Sequence, residues 1–263
     1  MNKISIVLAV YNEESNLSFC LDTIRNLAWE IVIVDGGSKD NTVKIAKSFN
    51  AKIIQTTNPQ VFHINKNKAI NAANGEWVLQ LDADERVTKE LAQEIIKVTS
   101  EKSDINGYWI PRRNLFLGKF LSKGGQYPDY TLRLYRKGKG ILPAKDVHEQ
   151  ALVEGQVGFL KNDLLHLRDT SFAKYLVGLN RYTDLISTQL KDAGVTIGIL
   201  SFIDYIFIKP CHWFLKTYIR HRGYVDGFPG FVFSLFSSLR FPISYFKLWN
   251  SISSSRSKNE NSN

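Results

Sequence analysis

The sequence predicts an α/β fold, in which a mixed, mainly parallel β-sheet is flanked by helices and followed by a helical, amphipathic region. Apolar runs alternate with helical periodicity four times in the first hundred residues, which is typical of a parallel sheet. Polar clusters directly follow three of these runs. After residue 105, strand-like segments are separated by glycine-rich turns, and aromatic and basic residues dominate from about residue 195.

The 263 residues, of which 44% are apolar, allow either one large α/β domain or one domain with a substantial appendage. The formal net charge of +9 suits nucleic acid, anionic lipid or a phosphorylated substrate, and does not choose among them. Cys20 and Cys211 lie far apart without metal-ligand spacing, which argues against a disulfide framework and favours the cytoplasm. The apolar run after Lys3 is too short for a signal peptide, so we interpret it as the first strand.

The first hundred residues predict a repeated strand–helix unit. Residues 4–10 and 31–34 are continuous apolar runs, as expected for parallel strands buried on both faces. Shorter strands are predicted at 52–55 and 77–81. Periodicity and capping residues (Asp40 or Asn41, Thr88, and the stop at Asn74-Gly75) place the helices at 15–27, from about 41 to 49, at 65–73 and at 88–99.

Three polar clusters stand where predicted strands end: 11–13 (Tyr-Asn-Glu), 35–38 (Asp-Gly-Gly-Ser) and 82–84 (Asp-Ala-Asp). Ligands of such sheets bind beyond the carboxyl ends of the strands, so we expect the clusters to converge. In a turn, Asp82 and Asp84 can both approach one divalent cation, and carboxylate oxygens suit Mg²⁺ or Mn²⁺. A solvated turn that opens the next helix would use the same residues.

The later half predicts strands at 107–113, 130–135 and 150–157 and a helix at 172–190. Between residues 195 and 249 no run of 18 residues lacks a charge or a proline, so a spanning helix is not evident. The mixture of aromatic and basic residues there suits a segment in the membrane headgroup interface, or a helical pair that covers the sheet while its basic ends reach water. Residues 251–263 are polar and predict a disordered tail.

The chain resembles the inverting family 2 glycosyltransferases of the GT-A fold. The matching stretches lie in the right order over the first hundred residues: IVLAVYNEE (6–14), IVIVDGGSKDNT (31–42) and NGEWVLQLDADE (74–85). Further stretches make it similar to the branch that includes lipopolysaccharide core β-glucosyltransferases: GGQYPDYTLRLYRKGKG (124–140), VHE (147–149), LLHLRD (164–169) and YIRHRGYVDGFPG (218–230). Gly36 departs from the family pattern, which often has a second Asp there.

The resemblance implies a role for particular residues. Asp84 would be a direct metal ligand, Asp82 would lie near the ribose and the metal, and His166 would complete the metal–diphosphate site. Glu149 matches the catalytic base. The nucleotide-sugar pocket would be formed by Ala9, Tyr11, Glu13, Asp35 as the base-reading carboxylate, Lys66, Asn67, Asp82 and Arg133.

The chemistry of sugar transfer agrees with these residue types. The leaving diphosphate gains negative charge, which a cation and Arg133 stabilise. The attacking hydroxyl must lose a proton, so inversion needs one carboxylate as general base. From the residues alone, Asp129 and Asp146 compete with Glu149 for this role, and His166 could equally be a core histidine in an apolar run.

We expect a GT-A domain at 1–190, with a nucleotide-sugar-binding half at 1–105 and an acceptor/catalytic half at 106–190. The aromatic and basic composition of 191–250 predicts a helical membrane-surface region there. Expected partners are a nucleotide-sugar donor such as UDP-glucose, a lipid-linked glycan acceptor and the anionic inner face of the cytoplasmic membrane, without nucleic acid or an obligate protein partner. The close alternative is a polyprenyl-phosphate sugar synthase, whose phosphate acceptor needs no base. A nucleic-acid-binding protein is the alternative of another class, disfavoured because the basic residues are dispersed. A dinucleotide oxidoreductase would need a Gly-x-Gly-x-x-Gly turn after the first strand, which is absent.

Overall fold

The computed structural model describes residues 3–59, 61–143, 150–169 and 171–260. The chain forms two compact units. Unit 1 contains Met1–Arg113 and Pro128–Leu167, and unit 2 contains Asn114–Tyr127 and Arg168–Asn263.

The strands are β1 (Ile4–Val10), β2 (Glu30–Asp35), β3 (Lys52–Gln55), β4 (Trp77–Gln80), β5 (Glu85–Val87), β6 (Ile105–Phe116), β7 (Lys119–Phe120), β8 (Asp129–Arg136), β9 (Gly140–Ile141), β10 (Leu152–Val153), β11 (Gln156–Phe159) and β12 (Leu164–Asp169). The helices are α1 (Leu17–Ile24), α2 (Thr42–Ser48), α3 (His63–Ala72), α4 (Lys89–Ser100), α5 (Phe172–Asp192), α6 (Ile199–Ile203), α7 (Lys209–Phe214) and α8 (Gly227–Glu260). Two π-helical segments, Asp204–Ile208 and Leu215–Arg220, and a 3₁₀ turn, Gly223–Asp226, connect the later helices.

The main sheet has the strand order β3-β2-β1-β4-β8-β6-β12-β5. β1 pairs in parallel with β2 and β4, and β2 pairs in parallel with β3. β8 then joins β4 and β6 in antiparallel orientation, so the second half of the chain adds the mixed part of the sheet. The predicted α/β fold is therefore confirmed.

The core of unit 1 lies on both faces of this sheet. Along β1, Ile6 and Leu8 point into one apolar cluster, which α1 and α4 cover, while Val7 points into a second cluster beneath α3. All three side chains are fully buried. This explains why β1 is an uninterrupted apolar run, since a strand with helices on both faces has no face in water.

Two predicted helix boundaries have local causes. The Thr88 hydroxyl caps α4 by accepting from the Leu91 N–H at 3.1 Å. α3 ends at Ala72, and the chain turns back at Gly75 close to β1. A Cβ at position 75 would lie 2.5 Å from the Lys3 carbonyl oxygen, so this close approach of two backbone segments requires glycine.

Unit 2 is helical and is built around aromatic side chains. A buried cluster contains Phe116, Leu121 and Val232, with Phe172 and Phe233 packed against it. α8 extends to Glu260, into the segment whose composition predicts disorder. A helix propagates from an existing turn more easily than it starts, which explains how a polar segment continues it. No helix in the described part of the chain combines the length and apolar character needed to cross a bilayer.

Candidate active site

The loops after β1 and β2 are bound to each other by side-chain hydrogen bonds. The Asn12 N–H donates to Ser38 Oγ at 2.9 Å, and the Lys39 N–H donates to Asn12 Oδ1 at 2.8 Å. Asn12 has φ 54°, a left-handed conformation that Asn tolerates better than most residues. The predicted convergence of these two strand ends is thus produced by the polar residues themselves.

Asp35 ends β2 and is 1% exposed. Its Oδ2 accepts hydrogen bonds from the N–H groups of Gly37 and Ser38, both at 3.1 Å, which fix the orientation of the carboxylate. At Gly36, where the sequence departs from the family pattern, a Cβ would lie 3.1 Å from the Asn58 Cβ, so a side chain there would require Asn58 to shift by a few tenths of an ångström.

The other residues predicted at the β1 end lie around this turn. Ala9 pairs in register with Val34 on β2 and is half-buried. Tyr11 is 41% exposed. The Glu13 N–H donates to Thr42 Oγ1 at 2.7 Å, and its carboxylate accepts from Asn16 Nδ2 at 2.9 Å.

Asp82 follows β4, the neighbour of β1 on the other side, so the structure places all three polar clusters at the same sheet edge. Its Oδ1 lies 2.5 Å from Lys66 Nζ on α3, and its Oδ2 lies 2.6 Å from Arg133 Nη2 on β8. Burial alone would raise the pKa of the Asp82 carboxyl, but the charges of Arg133 and Lys66 hold it well below its usual range.

Glu85 lies beneath Asp82 and is fully buried. Its Oε1 lies 2.9 Å from Arg133 Nη2 and 3.5 Å from Arg112 Nη1, and its Oε2 accepts the Asp82 N–H at 2.9 Å. Arg112 in turn holds Asp129, with Nη2 2.7 Å from Asp129 Oδ2. Asp129, the second candidate for the base, is therefore engaged by a guanidinium.

Asp84 and His166 come together although 81 residues separate them, with His166 Nε2 3.5 Å from Asp84 Oδ2. The antiparallel pairing of β5 with β12 brings them there, because it sets His166 opposite Glu85. Burial acts to raise the pKa of the Asp84 carboxyl, and His166 outweighs it and lowers that pKa. The described residues contain no group of three or more His, Cys, Asp or Glu side chains arranged to hold a metal ion.

Asn67 lies on α3 next to Lys66, and its side chain is bound to backbone. Its Nδ2 donates to the Leu142 carbonyl at 2.8 Å, and its Oδ1 accepts from the Leu142 N–H at 3.1 Å. Glu149 and Asp146 follow in the chain but lie outside the described residues, so the role of Glu149 stays a prediction.

Residues 5–149 match the family described as Glycosyl transferase family 2, which is more than half of the chain. The chain belongs to glycosyltransferase family 2. The predicted transferase activity is thereby confirmed at the level of the family, and the site at the ends of β1, β2 and β4 lies within the matched residues.

Relatives of this glycosyltransferase support the predicted branch. A lipopolysaccharide core biosynthesis glycosyltransferase, LpsC of Rhizobium meliloti, is 29% identical over 239 residues, which cover 87% of this chain and 85% of LpsC. An uncharacterized glycosyltransferase of Rickettsia typhi, RT0209, is 29% identical over 254 residues, which cover 92% of this chain and 85% of that protein.

Solved structures support the GT-A-like fold. The mannosyltransferase PcManGT of Pyrobaculum calidifontis, solved in complex with GDP-Man and Mn²⁺, superimposes with a TM-score of 0.53 at 12% identity, over 95% of this chain and 80% of that one. S. aureus TarS 1-349 gives a TM-score of 0.50 at 17% identity, over 94% and 88% of the two chains.

Two residues of this glycosyltransferase's charged site were missed by sequence reasoning, Glu85 and Arg112. Glu85 directly follows Asp82-Ala83-Asp84, so its position was visible, but its complete burial was not. Arg112 lies in the predicted strand 107–113, and only the register Arg112↔Asp129 between β6 and β8 shows what it faces.

Proposed function

We propose that this family 2 glycosyltransferase moves a hexose from a nucleotide-sugar donor to a hydroxyl of a membrane-linked glycan such as lipopolysaccharide core, with inversion at the anomeric carbon. UDP-glucose is the donor that we propose. The observation that carries the proposal is the pair Asp84–His166, 3.5 Å apart, at the sheet edge where Asp35 and Asp82 also lie. The name of the LpsC relative supports the acceptor class. The fixed carboxylate of Asp35 suits recognition of a base N–H, and Ala9, Tyr11 and Glu13 lie around it.

The residues fit a divalent cation, Mg²⁺ or Mn²⁺. Asp84 and His166 offer a carboxylate and an imidazole close together, which suits an ion that takes its other ligands from phosphate oxygens and water. Asp82 already has two cationic partners, so we assign it to the ribose side of the site rather than to direct ligation. PcManGT, with a related fold, was solved with Mn²⁺. When bound, the cation stabilises the charge on the leaving diphosphate.

The chain's own residues carry the remaining steps. The acceptor oxygen attacks the anomeric carbon while the bond from that carbon to the diphosphate oxygen breaks, and the nucleoside diphosphate departs. Arg133 and Lys66 stabilise the departing negative charge electrostatically. Glu149 takes the proton of the attacking hydroxyl. Asp129 is the weaker candidate for this base because Arg112 already holds its carboxylate.

The first experiment measures transfer with a panel of nucleotide sugars, with and without Mn²⁺, in wild type and Asp84→Asn. Loss of about 1000-fold in kcat/KM, with an unchanged unfolding temperature, is expected if Asp84 holds the cation, since one electrostatic group of this kind is worth about 3–4 kcal/mol. An Asp84→Asn enzyme with full activity would refute the metal assignment. The control is Asp163→Asn, which changes a carboxylate on the β11–β12 loop that is 22% exposed and lies 3.7 Å from Arg113 Nη1.

Glu149→Gln separates the proposal from the polyprenyl-phosphate alternative. A hydroxyl acceptor needs the base, so transfer should collapse, whereas a phosphate acceptor is already deprotonated. A Glu149→Gln enzyme that keeps its rate with a polyprenyl phosphate would support the alternative and exclude the base.

The membrane part of the proposal depends on an apolar stripe in unit 2, defined as the exposed residues at every fourth position from 203 to 219: Ile203, Phe207, Cys211, Leu215 and Ile219. Side chains four positions apart lie one turn above each other on a helix, so each residue of the stripe neighbours the next, with a gradual drift around the helical segments. The opposite side is packed, since Tyr205 stacks on Tyr245 and Thr217 is buried. The stripe therefore faces away from the core of unit 2.

Basic residues accompany the stripe: Lys216, Arg220 and Arg222 lie at its end, and the last two are exposed. Exposed apolar side chains bordered by cations suit an anionic bilayer surface, where each basic residue contributes about 1 kcal/mol. We therefore propose that the stripe docks on anionic lipid at the inner face of the cytoplasmic membrane. A second copy of the chain is the competing occupant.

Vesicle co-sedimentation tests this docking. The double variant Phe207→Ser/Leu215→Ser should bind phosphatidylglycerol vesicles at least tenfold more weakly than wild type. Val177→Ser, which changes an even more exposed apolar residue on α5, should bind them as wild type does. The proposed docking would be wrong if the double variant bound the vesicles as tightly as wild type. It would also be wrong if wild type and Val177→Ser formed a dimer in sedimentation velocity and the double variant did not, because the stripe would then bind a second copy of the chain.

A further inference from the structure

Charged side chains in unit 1 form an alternating chain that extends from α3 to β8. Three cations alternate with three carboxylates, in the order Lys66, Asp82, Arg133, Glu85, Arg112 and Asp129. Successive pairs are 2.5, 2.6, 2.9, 3.5 and 2.7 Å apart. The formal charges cancel, so the chain can be buried at moderate cost.

Glu85 is the buried centre of this chain. Asp82 is partly exposed at the sheet edge, whereas the side chain of Glu85 has no exposed surface. Among the described residues, its carboxylate accepts from the Asp82 N–H, Arg133 and Arg112. Both carboxylate oxygens therefore accept from donors of the protein itself.

The geometry limits where Arg133 can go. Its Nη2 bridges Asp82 Oδ2 at 2.6 Å and Glu85 Oε1 at 2.9 Å. Without Glu85, Arg133 would share Asp82 with Lys66 alone and could follow that carboxylate toward solvent. A charged acceptor below the guanidinium keeps it in place at the moment when a diphosphate competes for it, and preorganised charge is what stabilises a transition state.

We infer that Glu85 is a positioning residue for the donor diphosphate, which acts through Arg133. The inference rests on the proposed function, because it takes Arg133 to face the diphosphate. We assign Glu85 a positioning rather than a catalytic role, because both of its carboxylate oxygens already accept from protein donors. The competing explanation is structural: Glu85 could serve only to hold the turn at Asp82.

A double-mutant cycle separates the two explanations. Glu85→Gln removes the charge and turns one acceptor into a donor, and Arg133→Met removes the guanidinium at similar volume. If Glu85 acts through Arg133, Glu85→Gln lowers kcat at least tenfold in the wild-type background with the donor KM changed less than threefold. In the Arg133→Met background it then changes kcat less than threefold. Equal losses in both backgrounds would assign Glu85 a structural role only.

Two further variants complete the test. Glu85→Asp keeps the charge and should retain more kcat than Glu85→Gln, and it gives the same comparison if Glu85→Gln does not fold. Glu94→Gln is the matched control, because Glu94 also accepts backbone N–H groups, from Lys161 and Asn162, at 2.9 Å each. It should leave kcat unchanged. If the wild-type protein neither bound a nucleotide sugar nor transferred it, both the proposed function and this inference would be wrong. If the wild-type enzyme were active but the losses of kcat from Glu85→Gln and Arg133→Met were additive, only this inference would be wrong.

Discussion

Asn67 and Leu142 exchange two hydrogen bonds across 75 residues of sequence, at 2.8 and 3.1 Å. A side-chain amide here pairs with a backbone peptide group as a neighbouring strand would. Leu142 is buried, and it is the last residue but one before the segment 144–149. The helix that carries Lys66 therefore also fixes the point from which the chain continues toward Glu149.

Asn67→Ala should lower the free energy of unfolding by about 1–3 kcal/mol, because it leaves the N–H and C=O of Leu142 without their partner in a buried position. Urea unfolding followed by tryptophan fluorescence measures the change. Asn71→Ala, on the exposed side of the same helix, should stay within about 0.5 kcal/mol of wild type. If Asn67→Ala and Asn71→Ala were equally stable, the two hydrogen bonds between Asn67 and Leu142 would not contribute to stability as proposed.

Asp226 stabilises unit 2 from inside. It is 1% exposed, and its carboxylate accepts hydrogen bonds from the Ser122 N–H at 2.9 Å, the Ser122 hydroxyl at 2.7 Å and the Lys123 N–H at 2.8 Å. Asp226→Asn places an amide donor against these donors, so we expect a loss of about 2–3 kcal/mol in thermal unfolding. Asp184→Asn, whose carboxylate is 62% exposed, should change stability by less than about 0.5 kcal/mol.

Gly75 should not accept a side chain. Gly75→Ala would bring a Cβ within 2.5 Å of the Lys3 carbonyl and 2.6 Å of Ser5 Oγ, and overpacking of this kind costs about 1–3 kcal/mol. Gly198→Ala is the control, since nothing lies within 4 Å of a Cβ there. A Gly75→Ala protein as stable in guanidinium as the control would show that the two backbone segments move apart easily.

The lowered pKa of the Glu30 carboxyl predicts how the stability of the fold depends on pH. Burial acts to raise the pKa of its carboxyl, but hydrogen bonds from Ser5, Asn74 and Gly75 outweigh burial and lower that pKa below the ordinary 4.5. A lowered pKa means that Glu30 stabilises the folded state above about pH 4.5, and that this contribution disappears as pH falls through the folded pKa. Glu30→Gln should therefore destabilise the fold at pH 7, and its difference in stability from wild type should shrink as pH falls below about 4.5. A constant difference between the two proteins over this range would contradict the prediction.

The parallel half of the fold follows from the sequence because its strands are buried on both faces. β1 and β2 are apolar runs that water-exposed strands would not contain, and Thr88 and Gly75 mark boundaries by local chemistry. β5 and β12 were not predicted, because a three-residue strand has no measurable period and its partner lies far along the chain.

The candidate site was predictable only in part, for a related reason. The carboxyl ends of parallel strands must share an edge, so the meeting of Asp35 and Asp82 needs no more than the strand order. The pairing of the charged side chains depends on the register between the antiparallel strands, such as β6 and β8. The bridge from Arg133 to Glu85 and the contact between Arg112 and Asp129 could therefore not be derived from residue spacing.

The two cysteines differ in a way that makes this protein easy to label. Cys20 is fully buried, and burial raises the pKa of its thiol far above the ordinary value, so little reactive thiolate forms. Cys211 is exposed in the middle of the apolar stripe. An environment-sensitive maleimide dye should attach to the native enzyme at Cys211 alone, without any engineered mutation, and its emission would then report directly whether that surface is in water or in lipid.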